Sequence, residues 1–380
     1  MPAEYSEYKY YKYVKIEQGL YLCLHQNLAI LPWLIYLKGK SLRLSPKNLT
    51  EAFKSVRRFL GWGKRLTRYG LYFWNANAAL KLPLYGHLCL EVHRGYKIFD
   101  LHRQTVTKIF KPEVDISTVM MEIERAKTVG FYDFAPRIRR WNLEERWYEE
   151  DYVNGKPITA YTNGYPVTSS DSTNFLKTYY QYLAPCIEDL ILSQPLKQIS
   201  VAEYVGRLID NISKMTYKHE LDIDKILYIS RFVGSIARRL NSHGNCQVHM
   251  VLSHGDFGNN HVIRDNKGVK IIDWEYASHR TILFDLYSCF LEQLFFKRIV
   301  PDLIEQINDA ISVLEVNLAV KMPAITDGLL AMAEVYRWIF YIEQIYSGME
   351  FFDFSVKAKL KWIDAFNRFE EMQKYNHSHI

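Results

Sequence analysis

The densest polar stretch of the chain runs Ser253-His254-Gly255-Asp256-Phe257-Gly258-Asn259-Asn260-His261-Val262-Ile263. Seventeen residues past Asp256 comes Asp273, within Ile271-Ile272-Asp273-Trp274-Glu275. An apolar run precedes each carboxylate, and Asn266-Lys267-Gly268 turns the chain between them. A hairpin of that length predicts Asp256 and Asp273 at one end of a strand pair. Two such carboxylates suit chemistry at a nucleotide phosphate. One accepts the proton of an attacking hydroxyl, and the other holds Mg²⁺ against the phosphates. A cation between them also removes their mutual repulsion. An upstream strand lysine paired with a helical glutamate would complete a phosphate grip. Lys108 sits mid-strand, and Glu122 follows fourteen residues on, in a predicted helix.

These residues need elements to position them. Leu88, Leu90 and Val92 alternate, Arg94-Gly95 turns the chain, and Tyr96 to Leu101 and Val106 to Phe110 follow as short runs. The pattern predicts a three-stranded antiparallel meander. Ser117 or Asp115 opens a helix to about Val129, with Val119, Ile123 and Ala126 inward. A strand pair ends in Trp147 to Val153, and Asn154-Gly155-Lys156-Pro157 breaks it. Residues 171–243 read as mostly helical, Val248 to Leu252 and Val269 to Ile272 as strands, and the chain from Leu283 onward as helices. Ser45-Pro46 predicts a further helix over residues 45–66, with Lys54, Arg57, Arg58, Lys64 and Arg65 on its polar face.

The motif residues resemble the aminoglycoside phosphotransferase and choline kinase superfamily, which shares the protein kinase-like fold. That family carries His-Gly-Asp, an Asn five residues after the Asp, and an Ile-Asp-Trp/Phe-Glu run. Here these stand as His254-Gly255-Asp256 and Ile272-Asp273-Trp274-Glu275. The resemblance covers roughly residues 88–350 and is strongest over 248–290. It implies an α+β, bilobal fold with a small antiparallel β-rich lobe and a large helical lobe. The expected domains are a basic N-terminal extension (1–85), the small lobe and hinge (86–155) and the large lobe (156–380). ATP and Mg²⁺ are the implied cofactors. Asp256 would be the catalytic base and Asp273 the Mg²⁺ ligand. Lys108 would contact the α/β-phosphates and Glu122 would pair with it, in preference to Glu124. Glu150-Asp151-Tyr152-Val153-Asn154-Gly155 matches the hinge whose backbone holds adenine, so Glu150 and Tyr152 join the cofactor-binding set. Asp285 resembles the Asp that buttresses the catalytic loop.

Two positions depart from the family. His261 stands where the family has Asn, with Asn259 and Asn260 three and four residues past Asp256. An Asp-x-x-x-x-His loop is similar to the lipopolysaccharide core (Kdo and heptose) kinases. Imidazole still ligates metal or bonds phosphate, so His261 and Asn260 are kept as candidates. The first strand turn offers only Gly95 in place of a glycine-rich cradle. Gly255 occupies the place where regulated protein kinases put an Arg, and only eleven residues separate Asp273 from Asp285. Both favour a small-molecule, sugar or cell-surface glycan hydroxyl over a protein acceptor. The alternatives are a nucleotide-binding pseudokinase scaffold and, more weakly, an atypical protein kinase.

Composition bounds these readings. The 380 residues are 48% apolar and 24% charged, which is globular. Cys23, Cys89, Cys186, Cys246 and Cys289 are widely spaced without a C-x-x-C pair, which argues against a disulfide scaffold or zinc ribbon and for a reducing cytoplasm. The Tyr- and Lys-rich start shows no signal-peptide pattern, and Leu28 to Leu37 is too short to span a bilayer. Residues 1–85 carry a net charge of +10 within a total of +6, leaving −4 for the rest. The positive segment predicts peripheral contact with an anionic membrane through residues 1–68, at the inner face. No nucleic-acid module frames these charges, so no nucleic acid partner is expected. Residues 275–380 have a net charge of −5, which suits a cationic acceptor instead.

Overall fold

A computed structural model describes residues 10–17, 19–25, 63, 67, 79–158, 176–177, 179–218, 221–258, 261–265, 268–295, 302–322, 328–350 and 356–377. The chain is α+β and divides into two compact units, Met1–Gly164 with Ile263–Ile272 and Tyr165–Val262 with Asp273–Ile380.

The first unit is built on an antiparallel sheet of eight strands. They are β1 (Tyr11–Glu17), β2 (Leu20–Cys23), β3 (Leu80–Leu82), β4 (Leu88–Val92), β5 (Gly95–Asp100), β6 (Thr105–Phe110), β7 (Ile138–Asn142) and β8 (Trp147–Asp151). Their order is β3-β1-β2-β4-β5-β6-β8-β7. Helix α1 (Ile116–Val129) lies between β6 and β7 in sequence. The Asp115 side chain caps it by accepting from the Ser117 N–H at 2.7 Å. Val119, Ile123, Ala126 and Val129 form its buried stripe, and Glu122 sits within that stripe. Val119, Ile123 and Ala126 pack with Phe110 and Tyr148. Val106 packs with Val14, Leu20, Leu22, Leu88 and Phe99. The two-residue period of β6 puts Lys108 on the same face as Val106 and Phe110, between these two apolar clusters.

The expected boundary at residue 85 runs through this sheet. β1, β2 and β3 all fall inside the predicted extension, yet they extend the sheet past β4. Tyr11, Tyr13 and Val14 are buried, whereas Lys15 is exposed. The aromatic-basic start is therefore a strand covered on both faces, with Tyr11 and Tyr13 in one apolar cluster and Val14 in another, and β2 covers the backbone edge that β4 would otherwise leave open. Cys23 and Leu80 both sit opposite Tyr13, one on each side of β1. The predicted helix over 45–66 lies outside the described residues apart from Gly63.

A short strand, β9 (Lys156–Pro157), follows the sheet. The second unit holds α2 (Ala184–Leu192), β10 (Lys197–Ser200), α3 (Val201–Lys218), α4 (Ile223–Leu240), β11 (Gln247–Ser253), β14 (Ser278–Thr281), α5 (Phe284–Phe295), α6 (Leu303–Lys321), α7 (Ala333–Glu350) and α8 (Val356–His377). β10, β11 and β14 form one small sheet, with Ser253 opposite Ser278. β12 (Val262–Asp265) and β13 (Gly268–Ile271) form a hairpin that β9 joins through Ile263 and Arg264, whereas the expected partner strand before Asp256, β11, pairs instead with β10 and β14. The short strands β9, β10 and β14 are absent from the sequence reading. Each is two to four residues long, too short to show a period.

Candidate active site

The loop after β11 carries Asp256. Two side chains fix the backbone leading to it, and a third holds the Ser253 hydroxyl at its start. Asp285, at the start of α5, accepts the N–H of His254 at 2.8 Å and that of Gly255 at 3.1 Å. Burial pushes the Asp285 carboxyl up to about 6, while those two N–H groups and Arg280 oppose the shift. The His254 ring is fully buried, and its Nδ1 accepts the Asp256 N–H at 3.3 Å. Arg280 on β14 is buried and donates to Ser253 Oγ at 2.8 Å, to the Tyr276 carbonyl at 3.0 Å and to Ser347 Oγ on α7 at 3.1 Å. His254 is thus structural, and Asp285 is the buttress the resemblance implied. Arg280 was missed in the sequence, where its only signal is a charge set beside the apolar run Ile282-Leu283-Phe284.

Gly255 has φ +87°, and a Cβ there would stand 2.4 Å from the Tyr276 carbonyl oxygen. No side chain fits at this position, which accounts physically for the missing Arg. Asp273 also adopts left-handed backbone, with φ 72° and ψ 51°. A non-glycine residue held there carries strain that clusters at functional sites.

His261 links the two carboxylates. Its Nδ1 lies 2.7 Å from the Asp256 carbonyl oxygen and 3.8 Å from Asp256 Oδ2. Its Nε2 lies 3.9 Å from Asp273 Oδ2. A carbonyl oxygen only accepts, so Nδ1 carries the proton. In the neutral ring the Nε2 lone pair then faces the Asp273 side. A metal-binding histidine is oriented in this way, with its other nitrogen donating to a backbone carbonyl. The Asp256 side chain is 60% exposed, so its carboxylate is open to an acceptor. Asn259 and Asn260 lie outside the described residues.

In the first unit Lys108 and Glu122 are both buried and form an ion pair between Nζ and Oε1. The Tyr148 hydroxyl donates to the same oxygen at 3.1 Å. Glu124 is exposed and pairs with Lys127 at 2.7 Å, so the helical partner is Glu122. Glu150 lies in β8, opposite Val106 on one side and Ile138 on the other. The Tyr152 N–H donates to the Gln104 carbonyl at 2.9 Å, and its ring meets Phe99 edge-on. These two residues anchor the segment that follows β8.

Residues 207–318 match the family described as the phosphotransferase enzyme family. None of the curated proteins compared matches the chain. Among solved structures, choline kinase LicA from Streptococcus pneumoniae is 17% identical, with 75% of this chain and 92% of that chain covered and a TM-score of 0.43. Choline kinase from Cryptosporidium parvum Iowa II is 12% identical, covering 74% and 87%, with a TM-score of 0.46. A glucosamine kinase in complex with glucosamine, ADP and inorganic phosphate is 12% identical, covering 74% and 80%, with a TM-score of 0.42. The resemblance read from the motifs holds. The His254-Gly255-Asp256 loop and Asp273 both lie within the segment that matches the phosphotransferase enzyme family.

Proposed function

We propose that the chain transfers the γ-phosphate of ATP to a hydroxyl of a small molecule, sugar or cell-surface glycan. The observation that carries this reading is His261 reaching both Asp256 and Asp273 within the segment matched by the phosphotransferase family. The acceptor oxygen attacks the γ-phosphorus, the bond from that phosphorus to the ADP oxygen breaks, and the hydroxyl proton passes to the Asp256 carboxylate. Lys108, held by Glu122, takes the α/β-phosphates, and the backbone of the 150–155 segment takes adenine. Asp273 offers a hard carboxylate oxygen and His261 an oriented lone pair. The carboxylate suits Mg²⁺, which protein sites hold with one or two carboxylates and the substrate's own phosphates, whereas the imidazole is a softer donor to it. When bound, Mg²⁺ supplies charge neutralisation between the phosphates. Catalysis by these residues is positioning and charge stabilisation.

A transfer assay with γ-labelled ATP across aminoglycosides, amino alcohols, sugars and glycan fragments tests the reading. The wild-type chain labels at least one acceptor. Asp256→Asn lowers transfer about a hundred- to ten-thousand-fold with ATP binding retained. Full turnover in that variant removes Asp256 from the mechanism. Nucleotide binding without any transfer would instead select a scaffold, which the family match does not favour. Among the described residues no helix is long and apolar enough to cross a membrane. Contact with an anionic membrane is proposed for the basic N-terminal stretch.

A further inference from the structure

Strand β11 ends at Ser253, three residues before Asp256, and the turn Trp274–Tyr276 begins immediately after Asp273. One guanidinium stands where these two segments cross. Arg280 NH1 donates to Ser253 Oγ at 2.8 Å, and NH2 donates to the Tyr276 carbonyl at 3.0 Å. A Cβ on Gly255 would stand 2.7 Å from that NH1, so the loop passes directly against the guanidinium. The segment that carries Asp256 and the segment that carries Asp273 are thus tied through one planar group. A planar fork of donors fixes the direction of its bonds as well as their lengths.

The guanidinium is itself tied to α7. Its NH2 also donates to Ser347 Oγ at 3.1 Å. Glu343 lies about one helical turn earlier on α7 and holds the next residue of β14. Thr281 donates its N–H to Glu343 Oε1 at 2.7 Å and its hydroxyl to Oε2 at 2.8 Å. The Tyr204 hydroxyl on α3 donates to Oε1 at 2.6 Å. Arg280, Thr281, Glu343 and Ser347 are all buried. Burial pushes the Glu343 carboxyl up, while these hydrogen bonds and the Arg280 charge oppose the shift. Apolar residues of similar volume often hold such an interface as firmly as buried charges do. What the polar set adds is fixed distance and direction.

We propose that Arg280, anchored to α7 by Ser347, is a positioning residue that sets the spacing of Asp256 and Asp273. It acts through the two segments and takes no part in the bond changes. The proposal rests on the phosphotransferase reading. Transfer kinetics, ADP calorimetry and thermal unfolding of the full chain test it, with wild type, Ser347→Ala, Arg280→Met, Arg280→Lys and Tyr204→Phe. Ser347→Ala is expected to lower kcat about tenfold and Arg280→Met about a hundredfold, because a small displacement of a reacting group costs that much. The KM for ATP and the affinity for ADP are expected to stay near those of wild type. Arg280→Lys regains part of the rate, since an ammonium keeps the charge and loses the fork. Tyr204→Phe takes a bond from Glu343 and none from Arg280, so it lowers the unfolding midpoint and keeps kcat. Equal loss of kcat in Tyr204→Phe and Ser347→Ala marks a loss of stability alone and overturns the proposal. An unchanged kcat in Ser347→Ala, with a wild type that transfers phosphate, also overturns it and leaves the phosphotransferase reading standing. Should Arg280→Met not fold, Ser347→Ala decides by the same outcomes. A wild-type chain that labels no acceptor overturns both readings.

Discussion

His261 Nε2 stands 3.9 Å from Asp273 Oδ2 because the other nitrogen of the ring is spent on the Asp256 carbonyl. One imidazole thereby sets the register between the residue proposed as base and the residue proposed as metal ligand. His261→Ala is expected to lower kcat about 10- to 100-fold. His261→Asn restores the family's residue type and should recover most of that loss. Steady-state kinetics at several Mg²⁺ concentrations check this, since a ligand role raises the Mg²⁺ requirement of the alanine variant. An unchanged requirement argues against ligation.

Glu122 is the most consequential carboxylate of the first unit. Two cations and a tyrosine hydroxyl converge on it within the apolar stripe of α1. Glu122→Gln leaves Lys108 and Arg94 buried beside a neutral amide. Breaking a buried ion pair by removing one partner costs about 3–5 kcal/mol. Denaturant unfolding should show a loss of that order, whereas the exposed Glu124→Gln should change stability by less than about 1 kcal/mol.

Asp285 gives the chain a pH signature. Its carboxyl is raised by burial to about 6, with Arg280 opposing and Asp256 reinforcing the shift. The folded chain holds this proton more tightly than the unfolded chain does. The resulting stabilisation is complete below the usual carboxylate range and is lost as pH rises through about 6. The stability gap between wild type and Asp285→Asn should therefore narrow by roughly 3 kcal/mol between pH 3 and pH 7. Urea unfolding of both proteins across that range checks it, and a gap independent of pH refutes it.

The segment proposed as catalytic was legible because its polar residues are written contiguously. The spacing of Asp256 and Asp273 survives any detail of packing, and their apolar flanks predict the hairpin between them. The Lys108 to Glu122 pairing was legible through the resemblance, since with Glu122 the family's apolar positions four and seven residues later fall on Ala126 and Val129. Arg94 and Arg280 were not legible. Each is defined by a partner distant in sequence, and nothing local separates a buried arginine from a solvated one. Strand β1 was hidden by Lys12 and Lys15, which read as charge before they read as strand.

The basic stretch takes on a different character from the pairing of Cys23 and Leu80 across Tyr13. Residues 24–79 hold ten Lys and Arg against one acidic residue. The strands at their two ends, β2 and β3, flank β1 two strand spacings apart, about 10 Å. These residues are a cassette pinned at both ends, not a tail. Truncation at residue 68 would strip β1 and β2 from the sheet and confound docking with folding. Excising residues 26–78 and closing the gap with a short Gly/Ser linker is the separable change, because closure entropy depends only weakly on loop length. The excised chain should keep its unfolding midpoint and lose sedimentation with anionic vesicles. Undiminished sedimentation would place membrane contact elsewhere. Whatever the cassette binds would pull on β2 and β3, which flank β1, and therefore on the sheet that carries Lys108.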